Sequence, residues 1–250
     1  MKTRLFTLAL TAILGTFVTA QDNGIQPAGT LEEAAPSRLP SSVGKATIDH
    51  HPPSYPPFCL PKNCLYYAGD FDTNYSGANG IINSNYDNGE IVAQVWVGVR
   101  PDHDVTVTGA TFVELVGDSG IQLVNPTPFA IQVGIKSGQA GETVCSTSGT
   151  ATATPYGNSQ VLTFAITIKK LSTSCKLKKG KLYYVNLLPT SDDGYGYLWN
   201  VPPNPQNHYG WKSDRNHCYY NSPSFGYNYV PCDSRGEFSE LSIALTGVND

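Results

Sequence analysis

An alternating stretch at residues 161–188 most constrains what this chain can fold into. Every second residue from 162 to 168 is Leu, Phe or Ile, and the residues between them are Thr163, Ala165 and Thr167. This period of two is typical of a strand with one buried face. A second apolar run at 181–188 follows the lysine-rich residues 169–180 and is also strand-like. The two runs predict a hairpin at the centre of an antiparallel sheet.

Similar runs recur along the chain, at residues 91–99, 105–116, 129–135, 149–154 and 238–248. Beyond the N-terminus there is no helix-period run of useful length, and the sequence has no internal repeat. Many short strands separated by turns favour two packed sheets. We therefore predict an all-β domain over residues 58–250, a two-sheet antiparallel β-sandwich with jelly-roll-like character, about nine strands and disulfide staples.

The N-terminus predicts export. Lys2 and Arg4 precede an apolar run at residues 5–18, and Ala20 follows in a small-residue cleavage pattern. This is the pattern of a secretory signal peptide, over residues 1–20. The run is shorter than the roughly 20 residues of a membrane-spanning helix, so no membrane span is expected. Residues 21–57 are rich in Pro and Ser and predict a disordered linker. The protein is expected to be secreted, with the periplasm or a cell surface as alternatives.

The charge balance is acidic. The chain has 16 Lys and Arg against 20 Asp and Glu, and removing residues 1–20 leaves 14 basic residues and a net charge of 14 − 20 = −6. Such a balance argues against nucleic acid as a partner, since nucleic-acid binders carry a basic face. Six lysines at residues 169–181 are the exception. We favour a solvated turn whose lysines protect a strand edge; the alternative is a polyanion site.

The six cysteines all follow the predicted signal peptide. An even number in an exported protein indicates disulfides rather than nucleophiles or metal ligands. Six cysteines allow 15 connectivities. Proximity in sequence favours Cys59–Cys64, Cys145–Cys175 and Cys218–Cys232.

Several short motifs suggest a family. They are Tyr-Ala-Gly-Asp-Phe-Asp at 67–72, Tyr-Asp-Asn-Gly at 86–89, Gly-Lys-Leu-Tyr-Tyr-Val-Asn-Leu at 180–187, Tyr-Leu-Trp at 197–199 and Leu-Thr-Gly at 245–247. In this order they resemble secreted bacterial β-sandwich proteins of the choice-of-anchor type, over residues 65–248. The resemblance implies a jelly-roll-like module, of a kind often found with cell-surface sorting tails. It implies no catalytic residues.

One acidic loop predicts a candidate calcium site. Asp70, Asp72 and Asn74 place oxygen atoms at alternate positions, and Asp87 adds another if the loop folds back. Calcium binds six to eight hard oxygen ligands, and alternate positions of a turn can bring them together. The alternative is that these side chains form Asx turns. No other cofactor is expected.

Aromatic residues are concentrated between residues 195 and 229, where ten of the 27 aromatics fall. Aromatic rings among Asn and Gly residues suit sugars, because rings pack against apolar C–H faces while amides bond hydroxyls. The alternative is that these rings cover a loop region and fill the space under the Cys218–Cys232 bridge. Trp96, in the middle of a strand, is assigned to the core. The candidate ligand-binding residues are Trp199, Tyr209, Trp211, Tyr219 and Tyr227.

These features predict a non-catalytic module that binds carbohydrate or another cell-surface ligand. The sequence contains no Gly-x-Ser-x-Gly, His-Glu-x-x-His or glycine-rich phosphate loop, which are the short signatures of common catalytic sites. One alternative is a secreted hydrolase with a carboxylate and histidine site at residues 208–217, built from His208, Asp214 and His217. Another is a purely structural envelope or matrix protein. The sequence leaves the ligand and the oligomeric state open.

Overall fold

The computed structural model describes residues 63–69, 81–85, 91–116, 122–155, 163–190, 198–200, 208–211, 213–233 and 241–250. The predicted signal peptide and linker lie outside these residues. So do Cys59 and the candidate calcium ligands Asp70, Asp72, Asn74 and Asp87. No helix in the described ranges is long and apolar enough to cross a membrane.

The described chain is built almost entirely from β-strands. Sixteen strands are present, and five of them contain only two or three residues, so their number exceeds the predicted nine or so. Such short strands carry too few residues to show a period of two. The strands are β1 (Cys64–Tyr67), β2 (Ile81–Ile82), β3 (Ser84–Asn85), β4 (Ile91–Val99), β5 (Val105–Val116), β6 (Thr127–Val133), β7 (Glu142–Gly149), β8 (Ala151–Pro155), β9 (Thr163–Ile168), β10 (Cys175–Leu177), β11 (Tyr183–Leu187), β12 (Leu198–Asn200), β13 (Tyr209–Gly210), β14 (Ser213–Ser222), β15 (Tyr227–Pro231) and β16 (Ile243–Asn249).

The strands form two antiparallel sheets, which confirms the predicted fold class. The seven-stranded sheet has the order β15-β14-β4-β11-β6-β7, and β3 pairs with β4. The nine-stranded sheet has the order β13-β1-β16-β5-β12-β2. In that sheet β9 and β10 both pair with the long strand β5, and β8 pairs with β9. β5 is therefore the strand on which the nine-stranded sheet is assembled.

The main core combines inward-facing residues from both sheets. Alternate residues of β4 contribute Ala93, Val95, Val97 and Val99 from the seven-stranded sheet. The nine-stranded sheet contributes residues of β5 and β9, including Phe112. Alternation is what the pleat of a strand requires, since successive side chains point to opposite faces. Between residues 93 and 99, the odd-numbered residues of β4 thus face the core and the even-numbered residues face away.

The hairpin predicted for residues 161–188 is absent. β9 pairs with β5 and β8 in the nine-stranded sheet, whereas β11 pairs with β4 and β6 in the seven-stranded sheet. Between them, β10 pairs with β5. The prediction was wrong about pairing because a period of two shows which face of a strand is buried but not which strand lies beside it. The chain crosses from one sheet to the other after β10.

Two predicted disulfides are present. Cys145 of β7 is bonded to Cys175 of β10, with their Cα atoms 5.8 Å apart, and this bond joins the two sheets. Cys218 is bonded to Cys232 with a Cα separation of 5.3 Å, and this bond fastens β14 to the residue that follows β15. Cys64 is also disulfide-bonded, and its predicted partner Cys59 lies outside the described residues.

Candidate functional site

The outer face of the seven-stranded sheet carries a second hydrophobic cluster, separate from the main core. Trp96, Ile135 and Tyr184 are its buried members. Trp96 occupies an even-numbered position of β4, so its ring lies on the face opposite Val95 and Val97. The outer face of an antiparallel sheet is usually solvated and polar. Trp96 is thus buried as predicted, but outside the main core.

Partly exposed rings surround this cluster. Tyr219 of β14 is the register partner of Trp96. The ring centroid of Tyr184 lies 5.6 Å from that of Tyr219 in an edge-to-face arrangement, and 6.4 Å from that of His217. Only 2% of Trp96 and 3% of Tyr184 is exposed, whereas Tyr219, His217 and Tyr229 are partly exposed. These five residues are called the aromatic face below. It has a buried floor and an accessible rim.

A bulge in β14 places His217 on this face. Ser213 pairs with Val99 and Cys218 pairs with Val97, so four residues of β14 lie opposite the single residue Gly98. A Cβ atom at Gly98 would lie 2.4 Å from the backbone oxygen of His217. Glycine is therefore required at 98, because any other side chain would push the bulge away. Bulges commonly redirect a side chain next to a functional site.

The turn between β6 and β7, residues 134–141, covers part of the floor. Ile135 is 3% exposed and packs with Trp96 and Tyr184. At the tip of the turn, the N–H of Gly138 donates to the carbonyl oxygen of Tyr229 at 3.2 Å. The side-chain amide of Asn228 donates to the carbonyl oxygen of Gly138 at 2.9 Å. The turn is thus fastened to β15, at the opposite end of the strand order.

Polar groups adjoin the rings. The N–H of Gly141 donates to Oε1 of Gln132 at 3.1 Å, and Nε2 of Gln132 donates to the hydroxyl of Thr143. Burial raises the pKa of Tyr229 above its ordinary value, and a hydrogen bond with Gln132 opposes that shift. Within the part of the chain that the structure describes, the buried indole N–H of Trp96 meets no acceptor. An unpartnered buried donor costs about 1–3 kcal/mol, so this N–H is a local cost to the stability of the cluster.

A buried polar network that the sequence did not suggest lies between β4 and β11. Their register pairs Tyr183 with Val99 and Val185 with Val97, so the next bonded pair would be Leu187 and Val95. Instead, the side-chain amide of Asn83 bridges them. It accepts from the N–H of Val95 at 3.1 Å and donates to the carbonyl oxygen of Leu187 at 2.8 Å. Asn83 therefore replaces one bond of the ladder.

Two more side chains complete this network. Nδ2 of Asn186 donates to Oδ1 of Asn83 at 2.9 Å and to the carbonyl oxygen of Val95 at 2.8 Å. Oε1 of Glu114, on β5 of the other sheet, accepts from Asn83 at 3.2 Å. Asn83, Asn186 and Glu114 are all buried. The bond from Asn83 to Glu114 joins the two sheets, and the buried network therefore holds the sandwich together rather than presenting groups to solvent.

The four candidate ligand-binding residues whose side chains are described do not share one surface. Tyr219 lies on the aromatic face, whereas Tyr227 packs against Tyr220, with ring centroids 5.6 Å apart. Tyr209 is 36% exposed on β13, in the other sheet. Trp211 is 3% exposed and stacks on Tyr66 within the main core, so it is not part of an accessible surface. Trp199 lies in β12, and its side chain is outside the described part of the structure.

The histidines of the alternative hydrolase site contact different clusters. The ring of His208 lies 5.6 Å from Tyr66, which belongs to the main core. His217 lies against Tyr184 on the aromatic face. Asp214 is within the bulge of β14, and its side chain is outside the described part. Among the described residues, no group of three or more His, Cys, Asp or Glu side chains is arranged to hold a metal ion.

Comparison of the chain with protein-family models, with curated proteins and with solved structures found no match.

Proposed function

We propose that this protein is a secreted, non-catalytic β-sandwich module that binds carbohydrate on the aromatic face. The observation that carries the proposal is the hydrophobic and aromatic cluster on the outer side of the seven-stranded sheet. The main core already holds the two sheets together, so these rings are not needed to join them. The signal-peptide pattern and the disulfides support secretion, because disulfides persist in oxidising compartments.

The chemistry of the face suits a sugar. The partly exposed ring of Tyr219 offers a flat surface for the apolar C–H face of a pyranose, and His217 lies beside it. The amide of Asn228 and the hydroxyl of Tyr229 lie near the same rim and can bond sugar hydroxyls. Small-molecule sites are built in this way, from apolar walls with a few polar groups that fix orientation.

Retention on insoluble glycans tests the proposal. Cellulose, chitin, xylan and mannan are the probes, and the wild type is compared with Tyr219→Ala. We expect the wild type to be retained on at least one of them and the variant to bind roughly tenfold more weakly, since an aromatic contact contributes about 0.5–1.5 kcal/mol beyond the area it buries.

The matched control is Tyr209→Ala, which removes an exposed tyrosine ring from the other sheet. It should be retained like the wild type. Retention of the wild type on none of the glycans would contradict the proposal, and so would equal weakening by the two substitutions.

The resemblance to choice-of-anchor modules adds a location to this proposal. A module of that kind would hold its ligand at a cell surface. The three predicted oxygen ligands at residues 70–74, together with Asp87, remain a separate prediction of calcium binding.

A further inference from the structure

A lysine-rich segment, residues 169–181, contains β10 of the nine-stranded sheet. Six lysines occur between residues 169 and 181, and this lysine segment contains no Asp or Glu, although the whole chain carries more acidic than basic residues. All six lysines are exposed: Lys169, Lys170, Lys176, Lys178, Lys179 and Lys181. The segment is thus a concentrated positive surface on an acidic protein.

Buried residues within the segment direct the lysines outwards. Leu171, Cys175 and Leu177 are buried in the main core. Lys176 lies between two of them in β10, so its side chain points to the opposite, solvent side of the sheet. The disulfide from Cys175 to Cys145 fastens this part of the segment to the other sheet.

The lysines follow β5 in a line. Ile168, immediately before Lys169, pairs with Ala110. The N–H of Leu171 then donates to the carbonyl oxygen of Thr108, and Lys176 pairs with Thr106. The N–H of Lys179 donates to Oδ1 of Asp104. From residue 110 to residue 104 a fully extended strand would advance about 20 Å, which is the upper limit of the distance over which the backbone positions of the lysines extend.

Most of this charge is not neutralised by the protein. Lys178 forms an ion pair with Asp104 at 2.7 Å. In the described ranges no carboxylate lies within ion-pairing distance of Lys169, Lys170 or Lys176. A second carboxylate, Asp250, accepts from the hydroxyl of Thr106. The acidic groups therefore lie beside residues 104–106, and Lys169 and Lys170 at the other end have no described carboxylate within ion-pairing distance.

The backbone of the segment is held at both ends. The N–H of Ser172 donates to the carbonyl oxygen of Ser148, and that of Thr173 donates to the hydroxyl of Thr147. Near the other end, the N–H of Gly180 donates to the carbonyl oxygen of Pro101. Charges on a fixed backbone lose less conformational entropy on binding than charges on a flexible loop.

We propose that the lysine segment binds a linear anionic polysaccharide. A row of charges up to about 20 Å long is longer than a single phosphate or carboxylate, and it matches a polymer with repeated anionic groups. Protection of the short edge strand β10 accounts for Lys176, the one lysine within it, and not for the five lysines outside it. Thr106 and Thr108 of β5 are partly exposed beside the row. Their hydroxyls donate to Asp250 and to the carbonyl oxygen of Thr246, and their oxygen atoms can accept from sugar hydroxyls.

Affinity chromatography on two anionic glycans tests this proposal. Immobilised heparin carries sulfates and immobilised polygalacturonate carries carboxylates, and dextran is the neutral control. The variant Lys169→Gln/Lys170→Gln/Lys176→Gln removes three lysines that the described carboxylates leave unpaired. We expect the wild type to be retained on at least one anionic glycan and not on dextran. The glutamine variant should bind roughly tenfold more weakly, since three exposed charge contacts of modest strength are lost.

The charge-retaining variant Lys169→Arg/Lys170→Arg/Lys176→Arg should elute with the wild type. Added salt should weaken the retention of all three proteins, because salt screens exposed charges over about 10 Å at 0.1 M, and the glutamine variant should elute at the lowest salt. Retention on only one of the two glycans supports the proposal and identifies the anionic group.

Three results would overturn the proposal. They are failure of both anionic glycans to retain the wild type, equal elution of the glutamine variant and the wild type, and tighter retention on immobilised duplex DNA than on either glycan. The variant Tyr219→Ala should keep its anionic-glycan retention. This separates the lysine segment from the aromatic face, so either surface can fail its test without affecting the other.

Discussion

At the scale of single residues, the backbone conformation of Tyr229 depends on the packing of the aromatic face. It adopts a φ of 45°, which is uncommon for a residue other than glycine. Its carbonyl oxygen accepts from Gly138 in the β6–β7 turn. Such a backbone conformation persists where surrounding contacts determine it. The hydroxyl of Tyr229 is in turn held by Gln132, so this residue couples the turn to the sheet.

The pKa of Tyr229 leads to a prediction about alkaline pH. Burial raises this pKa above 10.0 in the folded protein, so the unfolded chain releases the proton first as the pH rises. Stability from this group is therefore present below about pH 10 and is lost above it. We expect the wild type to lose stability relative to Tyr229→Phe between about pH 9 and about pH 11. Urea unfolding of both proteins across that range measures the difference, and a constant difference would contradict the prediction.

At the scale of elements, alternation predicted individual strands better than it predicted their partners. The run at residues 91–99 was correctly predicted as a strand, β4, because Val and Ala recur there at every second position. The pairing of β9 and β11 was not, because each has a buried face and nothing in the sequence says which sheet buries it. The lysine-rich connection between them contains the three-residue strand β10, which is too short to show a pattern.

The candidate site was predicted only in part for a related reason. Tyr219 was included because it belongs to the aromatic-rich region at 195–229. Trp96 and Tyr184 were missed as members of a surface cluster, since both alternate with core residues and resemble parts of a strand buried on two faces. Asn83 and Glu114 carried no local signal. Their roles depend on contacts with residues 31 and 104 positions away.

Asn83 provides the test at this scale. Replacing it with Ala would leave the N–H of Val95 and the carbonyl oxygen of Leu187 without the bridging amide. We expect Asn83→Ala to lower the free energy of unfolding by about 2–4 kcal/mol, because buried polar groups lose their partners. Chemical denaturation with intact disulfides measures this value. The control Asn228→Ala removes one exposed hydrogen bond and should cost less than about 1 kcal/mol. Equal losses in the two variants would contradict the role assigned to Asn83.

At the scale of the whole molecule, covalent and polar links join the sheets. The Cys145–Cys175 bond connects β7 to β10 across the sandwich. The network of Asn83, Asn186 and Glu114 connects β11 and β4 to β5. These links lie on different strands, so they restrict the relative movement of the sheets at more than one place. The aromatic face and the lysine segment therefore belong to one domain whose two sheets are linked by a disulfide and a polar network.

Removing the bridge between the sheets gives the prediction at this scale. The residues it joins are 30 positions apart. A loop of this length predicts a stabilisation of about 3–4 kcal/mol, mainly from restriction of the unfolded chain. We expect the free energy of unfolding of Cys145→Ser/Cys175→Ser, measured by chemical denaturation, to be lower than that of the wild type by this amount. A loss below about 1 kcal/mol would contradict it. Peptide mapping without reduction should recover residues 145 and 175 in one linked fragment.

The central claim is that the aromatic face is the carbohydrate-binding surface, and the indole N–H signals test it most directly. The chain has three tryptophans, and single substitutions assign their signals in a ¹H–¹⁵N spectrum. The probe is the soluble hexasaccharide of the glycan that retains the protein. On titration, we expect the Trp96 signal to shift, because its N–H lies buried beneath the aromatic rim. The Trp211 signal should stay in place, because that ring is in the main core. A shift of Trp211 with no change at Trp96 would contradict the account.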